Sequence, residues 1–166
     1  SSVLTAEVST QVKKNTLASG CCFAEVEVDM KLGTIKILHI INVHDSGKLL
    51  NPQLAEMQVH GGMSMGMGYG ISEQIVLDEK TGRMLNGNLL DYKLMTALDT
   101  PDIKADFVEL DDPEGPYGNK ALGEPPAIPG APAIRNAVLH ATGVAFNENP
   151  LTPQKLIDGF KKAGLI

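Results

Sequence analysis

The sequence predicts an α+β fold in which β-hairpins and strands pack against a glycine-rich helix and two C-terminal helices. Strand-like patterns come mostly first along the chain and helical patterns mostly last, unlike the regular alternation of a βαβ fold. The 166 residues, 43% of them hydrophobic and 20% charged, suit one globular domain with a real core. Because the chain has four Phe, three Tyr and no Trp, that core must consist of aliphatic residues, Met and Ala.

The first predicted strands form a hairpin. Residues 22–30 alternate between apolar and polar side chains, as a half-buried strand does. A turn at residues 31–33 leads into the β-branched run 34–43, so the two strands are expected to pair. Further strands are predicted at residues 3–8 and 103–110, and a second hairpin joins residues 74–77 to 83–85.

Three helices are predicted. Residues 53–73 have helical spacing of apolar side chains, although five glycines lie among them: Gly61, Gly62, Gly66, Gly68 and Gly70. Residues 131–142 form a well-patterned helix that Gly143 closes as a C′ residue. Thr152 as N-cap and Pro153 at the first helical position begin the last helix, which Gly164 ends.

Charge and cysteine content exclude several classes of protein. A net charge of −6 with only two arginines, Arg83 and Arg135, excludes a surface that binds the phosphates of a nucleic acid. No apolar run approaches the roughly 20 residues of a membrane span, and no targeting peptide is visible. The adjacent Cys21 and Cys22 are expected to be buried thiols in a reducing compartment, which favours the cytoplasm. Since the chain opens without Met and already in strand-like residues, we expect a piece of a longer protein.

The glycines of the first helix need a compensating interaction. Each Gly inside a helix costs about 0.8–1 kcal/mol relative to Ala, so five could cost roughly 4–5 kcal/mol. Gln58, Gly62, Gly66 and Gly70 are spaced by four and share one helical face. Either another segment approaches this face closely, or a bulky ligand lies there and Gln58 bonds it; these residues alone leave both open. The methionines of the helix, at positions 57, 63, 65 and 67, are expected in the core.

Glu124 is the carboxylate that the sequence singles out. Pro125 disfavours the α conformation at Glu124, and Gly123 allows the backbone to approach another group closely. Apolar surroundings without a nearby cation would make this carboxylate a competent general base near neutral pH. The alternative is a solvated glutamate in the turn that precedes the helix at residues 131–142.

The remaining polar clusters indicate no metal or dinucleotide site. His39 and His44 are five apart in a predicted strand and therefore point to opposite faces, which is poor geometry for metal ligands even with Asp45 and His60 nearby. The glycines at 66–68 lack both the third glycine and the βαβ unit of a dinucleotide fingerprint.

Five motifs together resemble the xanthine dehydrogenase family of molybdenum hydroxylases. In chain order they are HDSGKLLNP at 44–52, QVHGG at 58–62, GMG at 66–68, LLDYK at 89–93 and KALGEPP at 120–126. The resemblance covers nearly the whole chain, which is similar to the C-terminal part of the family's molybdenum-binding subunits. It implies that residues 1–166 are a C-terminal fragment of a molybdopterin-binding domain.

The resemblance implies roles for three residues. Glu124 matches the family's general base beside the molybdenum, and Gln58 matches a glutamine that hydrogen-bonds molybdopterin, which favours a ligand at the glycine face. Gly123 would bring its backbone close to the metal centre. The implied cofactor is molybdenum-molybdopterin, commonly the cytosine dinucleotide form in bacterial relatives, and these residues do not distinguish that form from the mononucleotide form. Iron–sulfur clusters and FAD are expected on other modules, since this chain lacks the necessary cysteines.

The implied activity is hydroxylation of xanthine and hypoxanthine by an oligomeric enzyme. Its expected partners are the upstream part of the same subunit, iron–sulfur and FAD subunits and a purine substrate, without nucleic acid or membrane. The isolated fragment is expected to be inactive. Two alternatives remain: the same family acting on an aldehyde, nicotinate or another N-heterocycle, and a non-catalytic assembly module whose glycine face serves only packing.

Overall fold

The protein consists of a three-stranded sheet and three helices. The computed structural model describes residues 3–9, 11 and 13–166. In chain order the elements are β1 (Ser19–Asp29), β2 (Thr34–Asp45), α1 (Pro52–Ile71), β3 (Asp102–Phe107), a short 3₁₀ turn (Pro116–Gly118), α2 (Gly130–Thr142) and α3 (Pro153–Lys162). The sheet order is β1-β2-β3, with β1 antiparallel and β3 parallel to β2. The predicted α+β class is confirmed.

The hairpin of β1 and β2 forms as the alternation predicts. Asp29 Oδ1 accepts hydrogen bonds from the backbone N–H groups of Lys31 and Leu32, and Gly33 takes a left-handed φ of 64°, which closes the turn. The hairpin also contains a β-bulge, which the alternation does not indicate. Glu25 pairs with His39 and Val26 pairs with Ile37, so Leu38 is the extra residue.

The core lies between one face of the sheet and the helices α1 and α2. Its buried members are Ile37, Ile40, Val59, Met63, Met67 and Ile134. A second cluster joins α2 to α3 through Val138, Leu151, Leu156 and Phe160. Met63 and Met67 are buried as predicted, whereas the prediction for Met57 and Met65 is wrong: these residues are 60% and 63% exposed on the opposite face of α1.

Two predicted strand regions do not form strands. Residues 3–8 pair with no strand among the described residues, and Leu4 is 97% exposed. The second hairpin reduces to one bridge between Leu77 and Met84, because strands this short have no third strand to stabilise them. The expectation of buried thiols is wrong for Cys21, which is exposed; because neighbours in β1 point to opposite faces, only Cys22 is partly buried.

The helix boundaries follow local capping signals. Asn51 caps α1 by accepting a hydrogen bond from the Leu54 N–H at 3.1 Å, and Pro52 occupies the first turn. Gly143 ends α2 with a φ of 73°, and Pro153 begins α3, both as predicted. Among the described residues, no helix has the length and apolar character needed to cross a membrane.

Candidate active site

Glu124 lies in a tight turn formed by residues 123–127, the glutamate turn, which directly precedes α2. Inside this turn the Ala127 N–H donates to the Glu124 carbonyl oxygen at 3.0 Å. Pro126 is buried, whereas Glu124 itself is exposed. The chain therefore presents the carboxylate at its surface and does not enclose it in an apolar pocket of its own.

Gln58 and Gly123, two predicted site residues that lie 65 positions apart, are in direct contact. Gln58 Nε2 donates to the Gly123 carbonyl oxygen at 2.8 Å, so α1 holds the residue immediately before Glu124. A Cβ at Gly123 would meet no atom within 4 Å, and Gly123 is exposed. The close approach expected at Gly123 is therefore not to another part of the described chain.

The glycine face of α1 is a packing surface for the segment that follows Glu124. A Cβ at Gly62 would lie 2.7 Å from Pro126 Cβ, and one at Gly66 would lie 2.5 Å from the Ala127 carbonyl oxygen. At Gly70 the nearest atom is the Cα of Ala131, at 3.2 Å. Close approach of a second segment thus explains these glycines. The interpretation of a ligand lying along them is wrong, because residues 126–131 already fill that space.

Sequence reasoning missed two anchors of the glutamate turn. Asn42 of β2 is fully buried, and its Nδ2 donates to the Pro126 carbonyl oxygen at 3.1 Å. Lys120 forms an ion pair of 2.5 Å with Asp45, and its backbone N–H donates to the Ser46 carbonyl oxygen at 2.7 Å. The one available signal is the position of Asn42, a polar residue on the same side of β2 as the buried Ile40.

The Lys120–Asp45 pair makes a testable contribution to stability. The hydrogen bond from Lys120 holds the pKa of the Asp45 carboxyl below its ordinary value of 3.8. A carboxyl whose pKa is lowered in the folded state makes its full contribution to stability at pH values above its pKa in the unfolded chain. That contribution is lost as the pH falls through the folded pKa.

We therefore expect Asp45→Asn to lower the free energy of unfolding by about 1–3 kcal/mol near neutral pH, because it leaves the Lys120 ammonium without its partner. The difference from wild type should shrink as the pH falls below about 4. Urea unfolding of the 166-residue chain at several pH values measures both effects. Asp102→Asn, at an exposed position of β3, is the matched control and should change stability by less than about 0.5 kcal/mol. A loss that persists undiminished at pH 3 would contradict this account.

The histidines lie on different faces, as their spacing predicts. His44 is 2% exposed, and burial lowers the pKa of its imidazole, while His39 on the same strand is exposed. Burial also raises the pKa of the Cys22 thiol to about 11, so this residue is protonated near neutral pH. Within the described part of the chain, no group of three or more His, Cys, Asp or Glu residues could hold a metal ion.

Comparisons with known proteins show which family this chain resembles. The model of the family described as the molybdopterin cofactor-binding domain matches residues 3–101. The xanthine dehydrogenase molybdenum-binding subunit of Escherichia coli O157:H7 is 53% identical over 163 residues, which is 98% of this chain and 22% of that subunit. The aldehyde oxidoreductase molybdenum-binding subunit PaoC of E. coli K12 is 32% identical over 152 residues, covering 91% of this chain and 20% of PaoC.

Solved structures contain the same fold. Carbon monoxide dehydrogenase from Oligotropha carboxidovorans matches with a TM-score of 0.82 and 28% identity, over 89% of this chain and 19% of that one. Aldehyde oxidoreductase from Desulfovibrio gigas matches with a TM-score of 0.79 and 27% identity, over 87% of this chain and 15% of that one.

Fold and sequence together define a molybdopterin-binding domain of the molybdenum hydroxylases. The chain belongs to the molybdopterin cofactor-binding domain family, which confirms the resemblance that its motifs carry. Its similarity to the xanthine dehydrogenase subunit extends over almost all of its residues. The chain spans about a fifth of the length of the curated relatives that it matches.

Proposed function

We propose that this chain is the C-terminal part of a molybdopterin-binding domain and supplies the general base Glu124 and part of the cofactor site of an enzyme that hydroxylates xanthine and hypoxanthine. The observation that carries the proposal is the 2.8 Å hydrogen bond from Gln58 Nε2 to the Gly123 carbonyl oxygen. This hydrogen bond places Gln58, which we propose binds the cofactor, in contact with Gly123, the residue before the proposed base Glu124. The complete enzyme would be a cytoplasmic oligomer with iron–sulfur and FAD subunits.

The residues at this end of α1 fit a pterin cofactor. Because the Gln58 nitrogen is engaged by Gly123, the carboxamide oxygen remains as an acceptor for N–H groups of the pterin. Gly123 has open space where a side chain would stand, so a cofactor atom can approach its backbone. When bound, molybdenum-molybdopterin, which we propose is the cytosine dinucleotide form, supplies the two-electron oxidation chemistry.

Glu124 has one role in this scheme, the uptake of a proton. Conversion of a ring C–H and water into a ring C–OH releases two protons and two electrons. The Glu124 carboxylate accepts one of these protons from the water-derived oxygen as that oxygen bonds to the ring carbon. The two electrons pass to the iron–sulfur and FAD modules, and the second proton is released to solvent. Since Glu124 is exposed in this chain, we propose that the upstream part of the subunit forms the other walls of the substrate pocket.

Similarity supports a purine substrate over the alternatives. The relative named as a xanthine dehydrogenase subunit is 53% identical to this chain, whereas the one named as an aldehyde oxidoreductase subunit is 32% identical. An aldehyde is the second candidate, because the aldehyde oxidoreductase of D. gigas shares the fold with a TM-score of 0.79.

A substrate panel on the complete enzyme tests this proposal. Initial rates with xanthine, hypoxanthine, nicotinate and benzaldehyde, divided by the molybdenum content, should give the highest kcat/KM for xanthine or hypoxanthine. A molybdenum-loaded enzyme that oxidises benzaldehyde and ignores both purines would contradict the substrate assignment. A correctly assembled enzyme that binds no molybdenum would contradict the cofactor role and favour the assembly module.

Gln58→Leu should reduce retention of the cofactor. The variant removes the donor to Gly123 and the acceptor proposed for the pterin, and we expect molybdenum and pterin content to fall about tenfold or more. Metal analysis and pterin fluorescence of the purified enzyme measure this loss. Gln53→Leu, an exposed glutamine on the first turn of the same helix, is the matched control and should retain the cofactor. Equal cofactor content in both variants would contradict the role of Gln58.

A further inference from the structure

Two side-chain amides from different elements hold the backbone on both sides of Glu124. Gln58 of α1 bonds the Gly123 carbonyl oxygen, one residue before Glu124, at 2.8 Å. Asn42 of β2 bonds the Pro126 carbonyl oxygen, two residues after Glu124, at 3.1 Å. The hydrogen bond from the Ala127 N–H to the Glu124 carbonyl oxygen closes the turn between these two points. The main chain that carries the carboxylate is thus fixed from the helix and from the sheet.

Asn42 is costly for the stability of its strand. It is fully buried on the side of β2 that also buries Ile40 and His44, and Asn is unfavourable in strands. Its Oδ1 is buried without a hydrogen-bond partner among the residues that the structure describes. A buried polar atom left unpaired destabilises the folded state, so an apolar residue at this position would stabilise the core better. The hydrogen bond to Pro126 is the interaction that distinguishes Asn42 from such a residue.

We propose that Asn42 is a positioning residue for Glu124. Pro126 packs so closely on Gly62 that a Cβ there would lie 2.7 Å from the Pro126 Cβ, and the Asn42 amide fixes the position of the Pro126 carbonyl group. Loss of the amide frees the glutamate turn to shift over α1 and carries the Glu124 carboxylate away from the reacting atoms. Misplacement of a catalytic group by about 1 Å can cost on the order of 10²-fold in rate. This inference rests on the proposed function, since it deepens the role of the same turn.

Asn42→Leu in the complete molybdenum-loaded enzyme tests the proposal. Leu is similar in size and suits a buried strand but cannot donate to Pro126. We expect kcat to fall about 10–100-fold with KM and molybdenum content unchanged. Backbone hydrogen exchange of residues 123–130 should become faster, while exchange in α3 stays at the wild-type rate.

Asn86 provides a matched control. It is 9% exposed, its Nδ2 donates to the Gln74 carbonyl oxygen at 2.6 Å, and its Oδ1 accepts from the Val76 N–H at 2.9 Å. Asn86→Leu therefore removes a similar amide, whose hydrogen bonds go to Gln74 and Val76 and not to the glutamate turn. We expect this variant to lose stability but to keep the wild-type kcat and the wild-type exchange of residues 123–130.

A double-mutant cycle separates positioning from general destabilisation. If Asn42 acts through Glu124, Asn42→Leu should have little further effect on kcat in a Glu124→Gln enzyme. The proposal would be overturned if Asn42→Leu lowered kcat by the same factor in both backgrounds. It would also be overturned if hydrogen exchange of residues 123–130 were unchanged, if exchange became faster throughout the domain, or if exchange became faster in the turn while kcat stayed the same. If Glu124→Gln alone keeps wild-type turnover, the proposed function fails. The exchange of residues 123–130 then decides separately whether Asn42 holds the turn.

Discussion

Glu124→Gln is expected to lower kcat for xanthine by about 10²–10⁴-fold in the complete enzyme, with molybdenum content unchanged. The amide has nearly the shape of the carboxylate and keeps one acceptor oxygen, but it cannot take up a proton. Because Glu124 is exposed and its side chain fills no part of the core, we expect the fold to change by less than about 0.5 kcal/mol. Steady-state rates per bound molybdenum measure the effect.

Glu79→Gln is the matched control for this prediction. Glu79 is also an exposed glutamate in a turn, but it lies between Leu77 and Met84 in the reduced second hairpin and not in the glutamate turn. The control should retain wild-type turnover and molybdenum content. If the two variants were equally active, Glu124 would not be the base.

The second large effect is expected at Gly66, where a methyl group would collide with backbone. A Cβ at Gly66 would lie 2.5 Å from the Ala127 carbonyl oxygen and 3.3 Å from the Gly130 Cα, neither of which can rotate away as a side chain can. Because the clash is with backbone, we expect it to cost about 2–3 kcal/mol, the upper part of the usual range for overpacking. After the gain of about 1 kcal/mol from the higher helix propensity of Ala, Gly66→Ala should lower the free energy of unfolding by about 1–2 kcal/mol.

Gly61 on the same helix provides the internal control for Gly66. Gly61 is exposed, and a Cβ there would meet no atom within 4 Å. Gly61→Ala should therefore raise the free energy of unfolding by about 0.5–1 kcal/mol. Urea unfolding of the two variants of the 166-residue chain should give shifts of opposite sign. Stabilisation by both substitutions would show that the glutamate turn does not pack on α1 as described.

Local signals made much of the fold predictable. The alternation of residues 22–30 places one face of β1 towards the core, and the capping residues Gly143 and Pro153 set the boundaries of α2 and α3. These signals depend on residues close together in sequence. The same reasoning failed at residues 3–8, because an apolar segment becomes a strand only where a partner strand is available to it.

The candidate site was predictable as a set of residues but not as an arrangement. The motifs singled out Gln58, Gly123 and Glu124, whose functional roles stay predictions. The occupant of the glycine face, however, lies about 60 residues further along the chain, and helical spacing alone cannot distinguish a packed segment from a ligand. The contact between Asn42 and Pro126 spans 84 residues and depends on the register of β2 under the turn. Only the tertiary structure supplies that information.

The most direct test of the proposed function is the rate at which xanthine reduces the complete, molybdenum-loaded enzyme in a single anaerobic turnover. This measurement isolates the step in which Glu124 takes up a proton from the later transfer of electrons between modules. We predict that reduction is about 10²–10⁴-fold slower in Glu124→Gln than in wild type or Glu79→Gln, while reoxidation is equally fast in all three. Equal rates of reduction by xanthine in the three enzymes would contradict the assignment of Glu124 as the base.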